Sequence, residues 1–161
     1  MAIYMKLSTI EGPVTTKGFE KTIELLSFNV SAHRPLTQPT RSEQNRGNAE
    51  AQVEMVTITK LWSGVDSAKL FQSIMKGDMN ITATVSFTNA DSPPVTFLQA
   101  VLSNVAIARY SIRGNGNSEM PIEDIILSFT DIEWTPYTIG SDKKAVKGSM
   151  VKYSLPTGTV S

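Results

Sequence analysis

A chain of 161 residues, 40% hydrophobic and 19% charged, suffices for one domain with a buried core and is too apolar for wholesale disorder. Its 15 basic and 15 acidic residues cancel, so nothing in the net charge advertises nucleic acid or an anionic membrane as a partner, and repulsion between copies is weak. The absence of cysteine excludes disulfides and thiolate metal sites and fits a reducing compartment.

Met1 to Lys6 lacks the basic start and continuous apolar stretch of a signal peptide, and no apolar run approaches the roughly 20 residues that span a bilayer. The expectation is a cytoplasmic origin, no membrane insertion, and export only by a route that ignores N-terminal signals. The first strand pattern, Ile3 to Ile10, sets Ile3, Met5 and Leu7 against Lys6 and Ser8. A second runs from Ile23 to Ser31. Residues 34–50 then show neither the helical nor the strand period, carry Arg34, Arg41 and Arg46 and few apolar groups, and read as a long loop, either solvated or in contact with another chain.

Val53 to Leu61 alternates again as a strand. Asp66 or Ser67 can cap a helix over about 66–77, whose stripe Leu70, Phe71, Ile74 and Met75 faces away from a wet side of Lys69, Gln72, Ser73 and Lys76, and whose stop is Gly77. Ile81 to Thr88 is the cleanest strand, with Ile81, Ala83, Val85 and Phe87 opposite Thr82, Thr84, Ser86 and Thr88. Ser92-Pro93-Pro94 breaks the pairing. Val95 to Ile112 is apolar on both faces, so one face needs the core and the other a helix or a second subunit. After a turn-rich segment, 113–119, a last strand pattern covers Ile125 to Trp134. Residues 141–161 look like a separate tail, with Lys143, Lys144, Lys147 and Lys152 against Asp142 alone.

Catalytic groups are scarce. His33 is the sole histidine, and beside an arginine-rich loop it reads as structural, not as a metal ligand or a general base. Glu123 with Asp124, and Asp131 with Glu133, are the only carboxylate pairings with a catalytic reading, and the exposed face of a strand accounts for them better. Gly114 and Gly116 lack the third glycine and the Lys-Ser/Thr pair of a phosphate loop. No catalytic residue, no cofactor and no metal is expected.

Several short segments follow in an ordered series: Tyr4-Met-Lys6, Ile10-Glu-Gly12, Thr15-Thr-Lys-Gly-Phe19, Ile23-Glu-Leu-Leu-Ser-Phe28, the arginine-containing loop, Thr57-Ile-Thr-Lys60, Leu70-Phe71 with Gly77, Ile126-Leu-Ser-Phe129 and Trp134-Thr-Pro136. In order and spacing, over roughly residues 3 to 138, the chain resembles the Hcp family, the haemolysin-coregulated tube subunits of bacterial type VI secretion. It departs at Phe19, where many members carry His, and after Tyr137, where it runs past the usual family end.

The resemblance implies a mainly β fold: a closed β-barrel of two packed antiparallel sheets with one short flanking α-helix, occupying residues 1–138. It says nothing of residues 139–161, a basic C-terminal extension that reads either as flexible or as packed on the ring. It implies a structural subunit of the inner tube, forming hexameric rings that stack, with spike and sheath proteins as partners and effectors in the lumen of some members. It also implies passage from the bacterial cytoplasm through the type VI apparatus to the outside or a target cell. Arg34, Arg41, Glu43, Arg46 and Glu50 are the candidate subunit and ring-stacking contacts. Two other readings stand beside it: an effector-binding chaperone or cargo module on the same ring, and, remotely, a carboxylate-based hydrolase.

Overall fold

The computed structural model describes residues 1–36 and 49–161, and the alternating segments there fold as antiparallel strands. β1 (Ala2–Leu7) lies between β2 (Ile23–Leu25) and β7 (Ile81–Thr88), and β7 pairs with the first half of β8 (Thr96–Arg113). β3 (Ser27–Asn29) pairs with β6 (Val56–Leu61), β6 with β9 (Ile122–Ser128), and β9 with the second half of β8. β2 and β3 are separated only by Leu26, whose N–H donates to Thr59 O at 2.7 Å. The path of paired strands therefore runs β8, β7, β1, β2, turns through Leu26, and returns by β3, β6 and β9 to β8. Two sheets share two corners, which is a barrel built as a folded-over sandwich. Met5, Ile23, Ile58, Val85, Leu102 and Ile125 are among the side chains that fill it.

β8 is where period-two reading loses phase. Ala100 and Leu102 point into the core, but so do Val105 and Ile107, because Asn104 takes a left-handed conformation (φ 51°) and shifts the alternation by one. A second irregularity between Ile107 and Arg109 shifts it again, so that Tyr110, opposite Ile125, also turns inward. The strand that reads as apolar on both faces is thus largely one inward face slipped twice as it crosses from sheet to sheet.

Two predicted strands divide. Val53 to Leu61 is interrupted at Glu54 and Met55, since Glu54 N–H donates to Ser31 O and ties β5 (Gln52–Val53) to β4 (Ala32–His33) instead of to the barrel. Ile125 to Trp134 becomes β9 and β10 (Asp131–Ile139), parted at Phe129 and Thr130. β10 pairs along the first half of β8, and its Trp134 meets Phe28 edge-on.

The helix α1 (Ser67–Lys76) ends as expected on Gly77 at φ 70°. Its orientation differs from the stripe. Ser67, Leu70 and Ser73 are buried, whereas Phe71 is 49% and Met75 67% exposed, so the apolar stripe faces partly outward and Ser73 moves from the wet side to the dry one. Asp66 occupies the N-cap position without a capping side-chain hydrogen bond. The reason lies in what the first turn holds, described below.

Residues 139–161 supply β11 (Ala145–Lys147), β12 (Val151–Ser154) and β13 (Thr159–Val160). β11 and β12 pair with successive stretches of β10, and β13 pairs with β12. Tyr153 and Leu155 pack against the core, and Lys152 faces Glu133 across the ladder.

Candidate assembly surface

Three regions stand out chemically. The first is a charge cluster sealed beneath α1. Lys60 leaves β6 inward, Glu123 leaves β9 inward, and Asp66 and Ser67 enter from the helix start; all four are essentially fully buried. Lys60 Nζ donates to Leu61 O at 2.7 Å, to Ser67 Oγ at 3.1 Å and to Glu123 Oε2, and lies 3.2 Å from Asp66 Oδ2. Ser67 Oγ donates to Glu123 Oε2 at 2.8 Å, and the Tyr110 hydroxyl donates to Glu123 Oε1. Burial first, then the bond to Glu123 and the charge of that carboxylate, push the Tyr110 phenol well above its usual range. Leaving Lys60 or Glu123 buried and unpaired costs several kcal/mol, on the order of 3–5. Exposing half of a Phe ring costs less than that. The polar anchor therefore sets the rotation of α1, and Phe71 is turned outward against Tyr110, with ring centroids 5.7 Å apart.

The second region is the outside of the Leu26 corner. Leu26, Leu61 and Trp62 are all exposed there and, with Val14, line a groove of about 440 Å³. The loop over residues 12–22 that walls it is held by Gly12, whose N–H donates to Lys21 O and whose missing Cβ would lie 2.1 Å from Thr22 O. Phe19, the departure from the family pattern, stacks on Tyr4 with centroids 4.6 Å apart.

The third region is lined by the C-terminal strands. β4 and β5, the stem of the long loop, face β12 and β13 across a cavity of about 340 Å³ floored by Ile132 and Trp134 and walled by Val30, Val53, Val151 and Val160. The Tyr153 hydroxyl donates to Ala51 O at 3.3 Å and joins the two walls.

Arg34 and Glu50, both exposed, line a cleft with the turn at Pro156 and Thr157, beside this cavity. The candidates Arg41, Glu43 and Arg46 lie outside the described residues. Glu123 is not on an exposed strand face, as its sequence position suggests, but is bound to Lys60, Ser67 and Tyr110. Its neighbour Asp124 points the other way, accepting from Thr59 Oγ1 at 2.8 Å. Asp131 and Glu133 do share a face of β10. Asp131 accepts from the Thr130 hydroxyl at 2.7 Å, which holds its carboxyl below the ordinary range. The Lys60–Asp66–Glu123 cluster is what sequence reading missed; its signal was a lysine at an inward position of an otherwise clean alternation, Val56, Ile58, Lys60.

Residues 4–135 match the family described as type VI secretion system effector, Hcp. No curated protein matches the chain by sequence. The fold is similar to a solved type six secretion system protein at 24% identity and TM-score 0.89, with 99% of both chains covered. It is similar to Hcp1 from Salmonella typhimurium at 18% identity and TM-score 0.76, covering 99% of this chain and 98% of that one. A type VI secretion system effector from Yersinia pestis follows at 18% identity and TM-score 0.71, covering 94% and 98%. The first two likenesses take in residues 139–161, where the sequence pattern runs past the family end.

Proposed function

Because this chain belongs to the Hcp family of type VI secretion proteins, we propose that it is a structural subunit of the secretion tube, whose copies close into hexameric rings that stack. The match over residues 4–135, which takes in both sheets and the helix, carries this reading. The barrel of residues 1–138 is the assembling unit, residues 139–161 are an extension along its β10 edge, and Arg34, Arg41, Glu43, Arg46 and Glu50 of the loop make subunit or ring-stacking contacts. Spike and sheath proteins are its partners, and it leaves the cytoplasm through the type VI apparatus. A ring interface of this kind buries on the order of 1,200–2,000 Å². Native mass measurement and negative-stain imaging of the purified chain test the proposal. Six-fold rings are expected, and monomers alone at high concentration overturn it.

Carriage of a small effector is a second reading, supported by the exposed apolar groove at Leu26, Leu61 and Trp62. Co-purification of a secreted protein that is lost in Trp62→Ser tests it; rings that form but retain no protein in either form overturn it.

A further inference from the structure

Asn115 is followed by glycine, whereas every other asparagine of the chain precedes a residue with a Cβ. It stands at the tip of the β8–β9 hairpin, where residues 114–120 are all exposed. Two hydrogen bonds shape that tip. Ser118 N–H donates to Asn115 O at 2.8 Å and closes a turn, and Asn117 N–H donates to Asn115 Oδ1 at 3.2 Å. The ring closed by the second bond contains both the Asn115 Cγ and the Gly116 nitrogen. These are the two atoms that join when a backbone amide attacks the carboxamide before it.

The surroundings favour that attack. Gly116 has no side chain to shield its nitrogen. Its N–H donates to no acceptor among the described residues, so no hydrogen bond has to break before the proton leaves. Asn117 N–H is aimed at the oxygen on which negative charge develops, as an oxyanion donor is. Asn89 provides the contrast. Asp91 N–H donates to its Oδ1 at 3.2 Å in the same local way, but that oxygen also accepts from Val95 N–H at 2.9 Å, and Asn89 Nδ2 donates to Asp91 Oδ2 at 2.7 Å. Its carboxamide is held on both sides, and the residue that follows is Ala90.

We propose that Asn115 is a self-modification site, which the folded chain converts, with water as the sole reagent, to aspartate and isoaspartate. The Gly116 nitrogen loses its proton and bonds to Asn115 Cγ, the Cγ–Nδ2 bond breaks, and ammonia leaves with a proton. Water then opens the cyclic imide. Cleavage between Cγ and the nitrogen gives aspartate; cleavage at the main-chain carbonyl gives isoaspartate and lengthens the backbone by a methylene. Arg113 and Glu119 cancel at the tip, and the 15 basic and 15 acidic residues cancel in the chain, so the conversion leaves both with a net negative charge. The molecule thereby carries a mark of its age on its surface, independent of how it assembles.

The test incubates the full-length protein at neutral and at mildly alkaline pH, followed by ion exchange and by the mass of the tryptic peptide over residues 114–143. A more acidic form is expected to accumulate, faster at the higher pH, with a gain of about one dalton that fragmentation places at Asn115. Part of it is expected to accept methyl groups from an isoaspartyl methyltransferase. Gly116→Ala is expected to slow the conversion about tenfold or more. The hairpin accepts that variant, because an added Cβ meets nothing within 4 Å and the Gly116 φ is not left-handed. Equal rates in the two proteins overturn the part given to Gly116. A folded chain that stays unchanged at Asn115 while an isolated peptide of residues 112–119 converts overturns the proposal, and so does conversion that falls first on Asn89 or Asn117.

Discussion

The two sides of β6 solve opposite problems. At its C-terminal end the chain places an ammonium, two carboxylates and a hydroxyl where water does not reach, closes α1 over them, and reaches Glu123 with the phenol of half-buried Tyr110. At its N-terminal end it leaves an apolar hollow open between a loop stem and the C-terminal strands. Stability alone would favour the reverse, since well-packed hydrophobic groups usually match or exceed a buried ion pair. The charged side fixes one rotation of the helix and so decides which apolar groups are turned outward. Placement is specified at one end, and an apolar hollow stays open at the other.

The sharpest way to break this comparison is to remove the cation. Lys60→Met leaves Glu123 and Asp66 buried with no positive partner and is expected to destabilise the fold by about 3–5 kcal/mol in denaturant titration. A loss below about 1 kcal/mol would mean that the cluster is hydrated and the two sides are not different in kind. Gly77→Ala comes next. At φ 70° a Cβ is strained, and about 1–2 kcal/mol is expected, because the turn that releases α1 toward β7 depends on that conformation.

Tyr110→Phe is expected to cost about 1–2 kcal/mol at neutral pH through the donor lost to Glu123, and to do something more specific at alkaline pH. Folding raises the Tyr110 phenol, so it favours the neutral form. That contribution is complete below the unfolded phenol value of about 10 and is lost as pH rises beyond it. Unfolding curves between neutral pH and pH ~11 should therefore steepen less for the Phe variant than for the unmodified protein. Parallel curves would remove Tyr110 from the cluster.

Much of this was legible in the residues. Alternation in Ile81 to Thr88 marked β7 because a half-buried antiparallel strand imposes period two without interruption. It failed in β8 because a left-handed Asn104 and the irregularity near Ala108 reset the phase, and neither residue type announces that by itself. The helix span 66–77 was legible from Gly77 and the apolar spacing, but its rotation was not. A stripe of Leu70, Phe71, Ile74 and Met75 shows which faces are apolar, and the choice between them belongs to Lys60 and Glu123, of which Glu123 lies 56 residues from Ser67. Of the candidate contacts, Arg34 and Glu50 are seen beside the cavity, and their proximity to residues 155–158 had no local signal, since it depends on β12 pairing with β10.

The smallest expected effect is also the most discriminating. Asp66 shares Lys60 with Glu123, yet the donors Lys60, Ser67 and Tyr110 all go to Glu123, and neither Asp66 oxygen has a well-directed hydrogen-bond donor. Asp66 is drawn to the ammonium at 3.2 Å and repelled by the neighbouring carboxylate. Asp66→Asn removes both interactions, and its stability is expected to stay within about 1 kcal/mol of the unmodified protein, whereas Glu123→Gln should approach the loss seen for Lys60→Met. Equal losses for the two variants would make the cluster a symmetric triad. A near-silent Asp66→Asn beside a damaging Glu123→Gln would place the holding force in the strand-to-strand pair, with the helix start seated on it. The rotation of α1 would then follow from Ser67 alone, and Ser67→Ala should loosen the outward stripe, read as faster hydrogen exchange over residues 67–76 with the barrel strands unchanged.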